Sequence, residues 1–397
     1  MGPVVRIALP GDVPAWAMIS HRAVRAVLAD STISKDPRNW HAWTTGQIPR
    51  DWPLISWVAP RNMFTADGPD HRRLRDPVKR AFHPKRVDAM RPRITAIVGE
   101  LLDQLAEHAA DGQPIDLKAQ FALPLPLQVI CELFGVPEPD RPHMQRLCDT
   151  AFDQGRPGVD HAAAFAELRA AVADLVAAKR RTPGDDLASA LANDAHSGLS
   201  DAELVDTLVL LVGAGHETTV NLITNAVRGL LTHPTQYTLL RGLQLDDWGV
   251  WEEVVEETLR WASPIAALPL RYTTAPVTIA DVTIPAGEAL LLCYGAANRD
   301  PARYGTDADV FDFRRPLGAH LAFGHGPHFC LGASLARLEA RIALEALFDR
   351  FNVALTVKPG ELEPLPSLVA CGTKALPVHL TRINRAKTAR AKKAHRR

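Results

Sequence analysis

Residues Phe323 to Gly332 read FGHGPHFCLG. A lone cysteine, Cys330, sits in a loop that also holds Gly324, Gly326, Pro327 and Gly332. A free cysteine that only fills a core prefers an apolar wall. This one lies where the backbone bends freely, and Gly326 and Gly332 bracket it so that main chain can approach a flat ligand closely. The next residues, LGASLARLEARIALEAL, predict a helix whose N-terminus points back at the sulfur. Helix-end N–H groups and the macrodipole favour a thiolate over a thiol there. Such a thiolate can ligate iron, and hydrogen bonds to the sulfur tune its donation.

The chain around this loop has 397 residues and is 47% hydrophobic, ample for a large core. Lys+Arg and Asp+Glu both number 45, so the global charge gives nucleic-acid binding no support. No apolar run reaches bilayer-spanning length, and MGPVVRIALPGDVPAW lacks the regions of a signal peptide. The expectation is a soluble cytoplasmic protein without a membrane or nucleic-acid partner. Five cysteines, Cys131, Cys148, Cys293, Cys330 and Cys371, are scattered with no CxxC pair, which argues against a disulfide framework or a zinc site.

Strand-like VVRIAL and VPAWAMIS open the chain, followed by helical HRAVRAVLAD. Residues 36–70 are long and irregular but hold Trp40, Trp43, Trp52 and Trp57, which predicts an ordered aromatic lid rather than disorder. Helical periodicity then runs to about residue 260. Its longest stretch starts at a Ser200 cap signal and carries LVLLVGAG, apolar all round and so expected to cross the protein's centre buried. Residues 268–297 return to strand character, a polar meander follows, and short strands close the fold near Leu380. The stretch 381–397 is basic, lacks an apolar face and reads as a disordered tail.

Two more stretches carry chemistry. In EETLRW, Glu257 and Arg260 share one helix face, a spacing that by itself reads as a surface ion pair of small worth. In AGHETT, Ala214 to Thr219, Gly215 and two threonines are poor choices for a helix interior. The Thr218 hydroxyl can bond back to the Ala214 carbonyl and leave a bend or groove. His71, Arg75, Arg271 and His328, each taken alone, read as solvated basic residues.

FGHGPHFCLG resembles the haem-binding loop of the cytochrome P450 family, Phe-x-x-Gly-x-x-x-Cys-x-Gly, and the other motifs follow in that family's order from about Val4 to Leu380. The resemblance implies a mainly α fold with a small β region: a single domain over 1–380, a triangular helical prism with haem b between the central helix and the cysteine loop. Cys330 is then the iron ligand, in a loop marked by Phe323, Gly326 and Gly332. His71, Arg75, Arg271 and His328 hold the two haem propionates, which suits charge-assisted pairing. Glu257 and Arg260 join an arginine of the meander as a structural triad. Within FDFRRP the spacing from Phe311 and Asp312 favours Arg315 over Arg314. Glu217 and Thr218 match the acid–alcohol pair that delivers protons during oxygen activation, beside Ala214 and Gly215. ANRDP and HLAFGHG resemble the soluble bacterial type, whose members carry a further opening helix ahead of a strand like VVRIAL.

The function so implied is monooxygenation of a bulky hydrophobic small molecule, such as a steroid, polyketide or macrolide, by a monomeric enzyme using O2. No flavin or nicotinamide fingerprint appears, so electrons come from a ferredoxin and its reductase, with Arg72, Arg73, Lys79 and Arg80 as candidate docking charges. The expected pocket is lined by the 40–65 lid, the turn before Gly215, Ala262 to Leu268, and Ser367 to Val369. Two other readings stay open: oxidative coupling of aromatic rings in an aromatic peptide or diketopiperazine, and a non-catalytic haem-binding helper.

Overall fold

The computed structural model describes residues 2–108, 112–152, 160–243, 248–316 and 318–383. Its axis is the helix Asp201–Thr232, unbroken over 32 residues. A capping box starts it: the Ser200 hydroxyl accepts from the Glu203 N–H, and the Glu203 carboxylate accepts from the Ser200 N–H at 2.9 Å. The helix is wholly buried over Thr219–Val227, later than LVLLVGAG. In that earlier stretch Val209, Leu210 and Leu211 are half-buried and Ala214 is exposed. One face of the middle of this helix therefore borders space rather than packed atoms.

The later half of the central helix packs with the helices Arg91–His108, Pro124–Phe134, Trp248–Trp261 and Ala333–Arg350 in the largest apolar cluster. Its first half packs with Arg141–Phe152 and His161–Arg181 in a second cluster. Phe82 and Leu133 lie against both clusters.

A five-stranded sheet flanks the helices in the order Val4–Leu9, Val13–Met18, Ala289–Leu292, Leu268–Thr273, Ile33–Ser34. All its pairings are antiparallel except that of Val13–Met18 with Ala289–Leu292. Between the two central strands the chain forms the hairpin Val277–Ile279 and Val282–Ile284, turned at Ala280 and Asp281, both at positive φ. Strand character ends sooner than the sequence implies, because Tyr294–Ala297 is a short helix. The last strand, Pro377–Arg382, pairs with Phe351–Leu355 and runs past Leu380. Thr381 and Arg382 therefore belong to the sheet, and the rest of the predicted basic tail, from 384 onward, lies outside the described residues.

The lid is ordered by its tryptophans. Trp40 and Trp52 are buried beneath it, Trp40 stacks on Tyr272 at 5.5 Å between centroids, and the Trp52 indole donates to Pro10 O at 2.7 Å. The helix that follows the lid is Gly68–Ala81.

The meander is held from one buried ion pair. Arg260 donates Nε and Nη2 to Glu257 at 2.7 Å each, with both side chains 4% exposed. Arg260 also donates to the carbonyls of Asn298, Ala308 and Val310 at 3.1, 2.6 and 2.9 Å. Glu257 accepts from the Asp312 N–H at 2.8 Å, and Arg315 Nε lies 3.8 Å from it. Arg315 is half-buried beside Glu257, whereas Arg314 is exposed. Arg315 spends its other nitrogens on Asp307 and the Tyr304 carbonyl. The surface ion pair that spacing alone suggested is thus a buried clamp on the meander.

Removing one partner of a buried pair leaves the other charged and uncompensated, at about 3–5 kcal/mol. Glu257→Ala is expected to lose stability on that scale, against about 1 kcal/mol for Ser200→Ala at the exposed cap. Urea midpoints of the two variants measure the contrast.

Candidate active site around Cys330

Two short hydrogen-bonded turns shape the cysteine loop, Gly324 N–H to Leu321 O at 2.8 Å and Phe329 N–H to Gly326 O at 3.0 Å, and Cys330 N–H to Phe323 O at 2.9 Å closes it. Gly326 has φ of +75°, and a Cβ built on it would lie 2.7 Å from Leu28 O. Its lack of a side chain lets the loop lie against the end of the helix His21–Ala29. That is a contact between two backbones of the protein. Gly332 has an ordinary φ of −80°, and a Cβ there would meet only Cys330 Sγ, at 3.9 Å.

Cys330 lies deep among protein atoms, and yet its residue surface is accessible. Together these facts mean that it borders an internal space. Burial pushes its thiol up; the Gly332 and Ala333 N–H groups donate to the sulfur, and the Arg75 and Arg337 charges pull the other way. The helix Ala333–Arg350 therefore does present its N-terminus to Cys330.

The four predicted basic residues converge beside this loop. The His71 and His328 rings stand 4.1 Å apart. Arg75 donates to Phe329 O. Arg271 is 6% exposed and, among the described residues, its side chain has no hydrogen-bond or ion-pair partner. His71 is 4% exposed and its Nε2 is buried with nothing to bond. Burial lowers the pKa of both His71 and Arg271, and His328 falls to about 4 through burial, against the pull of Asp67. A buried guanidinium without a partner and an orphaned imidazole nitrogen are costly as they stand. A flat group with two carboxylates, ligated at Cys330, would satisfy both, so the donor set fits haem. The solvated reading of these residues fails, because His71 and Arg271 are out of water.

On the central helix the Thr218 hydroxyl donates to Ala214 O at 2.6 Å, as expected, without breaking the helix. Thr218 is half-buried and Glu217 exposed. Gly215 has a packing role: its built Cβ would lie 3.2 Å from Ile130 of the helix Pro124–Phe134. The two expected pocket segments are joined, Ala266 N–H to Val369 O at 2.7 Å, and they leave Ser367 and Leu368 exposed and Ile265 half-buried.

Several residues of the site escape the sequence reading. Asp67 accepts from His328 Nε2 at 3.2 Å and from Ser34 and the Lys35 N–H. Lys35, 3% exposed, donates to Pro269 O and Leu270 O and stands 3.7 Å over the Phe64 ring. Glu256 takes His320 and Arg337, and Arg337 covers the Phe323 ring at 4.5 Å. The only local signals for these were the ADGPD cap pattern and the doublet of Glu256 beside Glu257. Of the four candidate docking charges, two are already paired: Arg73 with Glu203 and Arg80 with Asp194, both at 2.6 Å.

Among the described residues no helix is long and apolar enough to cross a membrane. The cytochrome P450 family model matches residues 244–379. The chain is 43% identical to a 2-hydroxy-5-methyl-1-naphthoate 7-hydroxylase of Streptomyces carzinostaticus, over 96% of this chain and 92% of that one. It is 37% identical to a 6-deoxyerythronolide B hydroxylase of Saccharopolyspora erythraea, over 95% and 93%. Among solved structures, "Testerone bound CYP154C4" from Streptomyces sp. ATCC 11861 superposes with a TM-score of 0.89 at 42% identity, covering 96% of this chain and 94% of that one. With relatives of this identity matched along almost their whole length, the chain belongs to the cytochrome P450 family and is a haem-dependent monooxygenase of the bacterial type.

Proposed function

We propose that the chain hydroxylates a bulky, mostly apolar secondary metabolite, with Cys330 as the residue that would hold the haem iron. The observation that carries this reading is that Cys330 is accessible in spite of its depth, with two backbone N–H groups on its sulfur. Bound there, haem supplies the reductive activation of O2 that ends in oxygen transfer to a C–H bond. His71, Arg75, Arg271 and His328 would hold its carboxylates. The two N–H donors take up part of the negative charge of the Cys330 sulfur and would moderate its donation to the iron.

Thr218 and Glu217 handle protons. The Thr218 hydroxyl spends its hydrogen on Ala214 O, so its lone pairs are left to accept from a water above the site. Glu217, exposed one residue before, connects that water to bulk solvent. Substrate packs against Ala214, Ile265 and Leu368, which present apolar surface without a charge. Such a lining selects by size and shape, in keeping with relatives named for a naphthoate, a macrolide and a steroid-bound state. Electrons come from an acidic ferredoxin with its reductase. Arg72 and Lys79 are the docking charges, exposed and in no ion pair among the described residues, whereas Arg73 and Arg80 serve the fold. Trp40 and Trp52 are packed under the lid rather than offered as a stacking platform, which weighs for hydroxylation over ring coupling.

Incubation with a ferredoxin system, O2 and panels of steroids, macrolides and bicyclic aromatic acids tests this reading. The expected product gains one oxygen, and a product that has lost two hydrogens without gaining oxygen would establish coupling instead. Thr218→Ala is expected to lower product formed per reducing equivalent about tenfold to a hundredfold, with hydrogen peroxide in its place. Unchanged coupling in that variant would remove Thr218 from proton delivery. Substituting Arg72 and Lys79 with glutamine is expected to weaken the dependence of turnover on salt, while Arg73→Gln leaves that dependence alone and lowers the melting temperature.

A further inference from the structure

Asp67 occupies the N-cap of the helix Gly68–Ala81 but gives that helix no side-chain hydrogen bond. An aspartate there ordinarily caps. Its carboxylate is used elsewhere. One oxygen accepts from the Ser34 hydroxyl and from the N–H groups of Lys35 and Asp36. The other accepts from His328 Nε2 at 3.2 Å. Residues 34–36 are where the lid departs, and Asp67 is where it returns. One carboxylate therefore staples both ends of the lid and joins them to a histidine two residues from Cys330.

The neighbours make this joint stiff. Lys35 is buried and donates to Pro269 O and Leu270 O, on the strand that carries Arg271. His328 lies against His71. The hydrogen bonds from His328, Ser34 and Lys35 hold the Asp67 carboxyl well below the usual carboxylate range, so burial does not neutralise it. A displacement of the lid base thus acts on His328 through one anion, with no flexible segment between.

We propose that Asp67 is a positioning residue that couples the anchoring of the lid base to seating of the haem carboxylates, acting through His328. The inference rests on the haem assignment and goes beyond it, since haem retention becomes a property of the lid base. Asparagine separates the two functions. The Asn carbonyl oxygen still accepts from Ser34, Lys35 and Asp36, but its NH2 takes away the acceptor that fixes the Nε2–H tautomer of His328. Alanine removes both.

The test uses holoenzyme and two readouts, the rate of haem transfer to apomyoglobin and amide hydrogen exchange along the chain. Asp67→Ala is expected to speed haem release about tenfold or more, as for loss of a charged hydrogen bond, and to raise exchange at residues 34–36 and 323–330 together. Asp67→Asn is expected to speed release while exchange at 34–36 stays at the wild-type level. Because the effect runs through His328, Asp67→Ala added to His328→Ala is expected to release haem no faster than His328→Ala alone. Additive effects in that pair, or unchanged release in Asp67→Ala with a loosened lid, would overturn the coupling. Unaltered exchange over 91–108 in each variant confirms that the fold is intact, and Asp67→Asn serves where alanine does not fold. A wild-type protein that binds no haem overturns the cofactor assignment and with it the coupling, and is told apart because no release rate exists to compare.

Discussion

The Glu257–Arg260 pair is the interaction on which the rest of the site hangs. A fully buried guanidinium has five N–H groups to satisfy and cannot give up its charge. Here the carboxylate takes two of them, and three carbonyls of the irregular stretch from 298 to 310 take the rest. A segment with little regular structure is thus given one geometry by a residue on a rigid helix. That segment leads directly into the loop of Cys330. Glu256, the neighbour of Glu257, reaches the same loop by another path, holding Arg337 over Phe323 and bonding His320. Two adjacent glutamates on one helix thereby grip the approach to the cysteine from both sides.

Electrostatics around the loop is unbalanced in a way that indicates its ligand. Arg271, Lys35, His71 and His328 gather around the Asp67 carboxylate, and Asp76 acts on Arg75 and His71. Each of the five basic groups is partly or wholly out of water, and burial lowers the pKa of every one of them. A structure that buries the Arg271 guanidinium and the His71 Nε2 without partners among so many cations does so for an anion that arrives later. The sulfur of Cys330 adds a second demand, for a Lewis acid, and one group meets both. Asp67 keeps the cluster from flying apart meanwhile, and it does so by borrowing donors from the lid.

What was legible in the sequence was contiguous in it. FGHGPHFCLG, AGHETT and EETLR place their chemistry within a few residues, so the resemblance to the cytochrome P450 family carries across residue by residue, where spacing alone made EETLR a surface ion pair. Arg315 was reachable because its spacing from Phe311 is short. What escaped depends on contacts across the chain. Gly326 is glycine because of a carbonyl in the helix His21–Ala29, a reason that no local pattern contains. Asp67 looks like an ordinary cap, and only the fold brings Ser34 and His328 to it. Arg73 and Arg80 look like free surface charge until Glu203 and Asp194 are placed opposite them. The burial of the central helix was put a turn or more too early because an apolar turn beside a ligand space and an apolar turn in a core have the same composition.

The central claim is that Cys330 is a thiolate ligand to haem iron in the internal space it borders. The carbon monoxide difference spectrum of the dithionite-reduced protein, taken beside Cys330→Ala, tests it most directly. The account predicts the strongly red-shifted Soret band of a thiolate–haem–carbon monoxide adduct, lost in the variant. A band at the shorter wavelength of histidine ligation, or one that survives removal of Cys330, would contradict it.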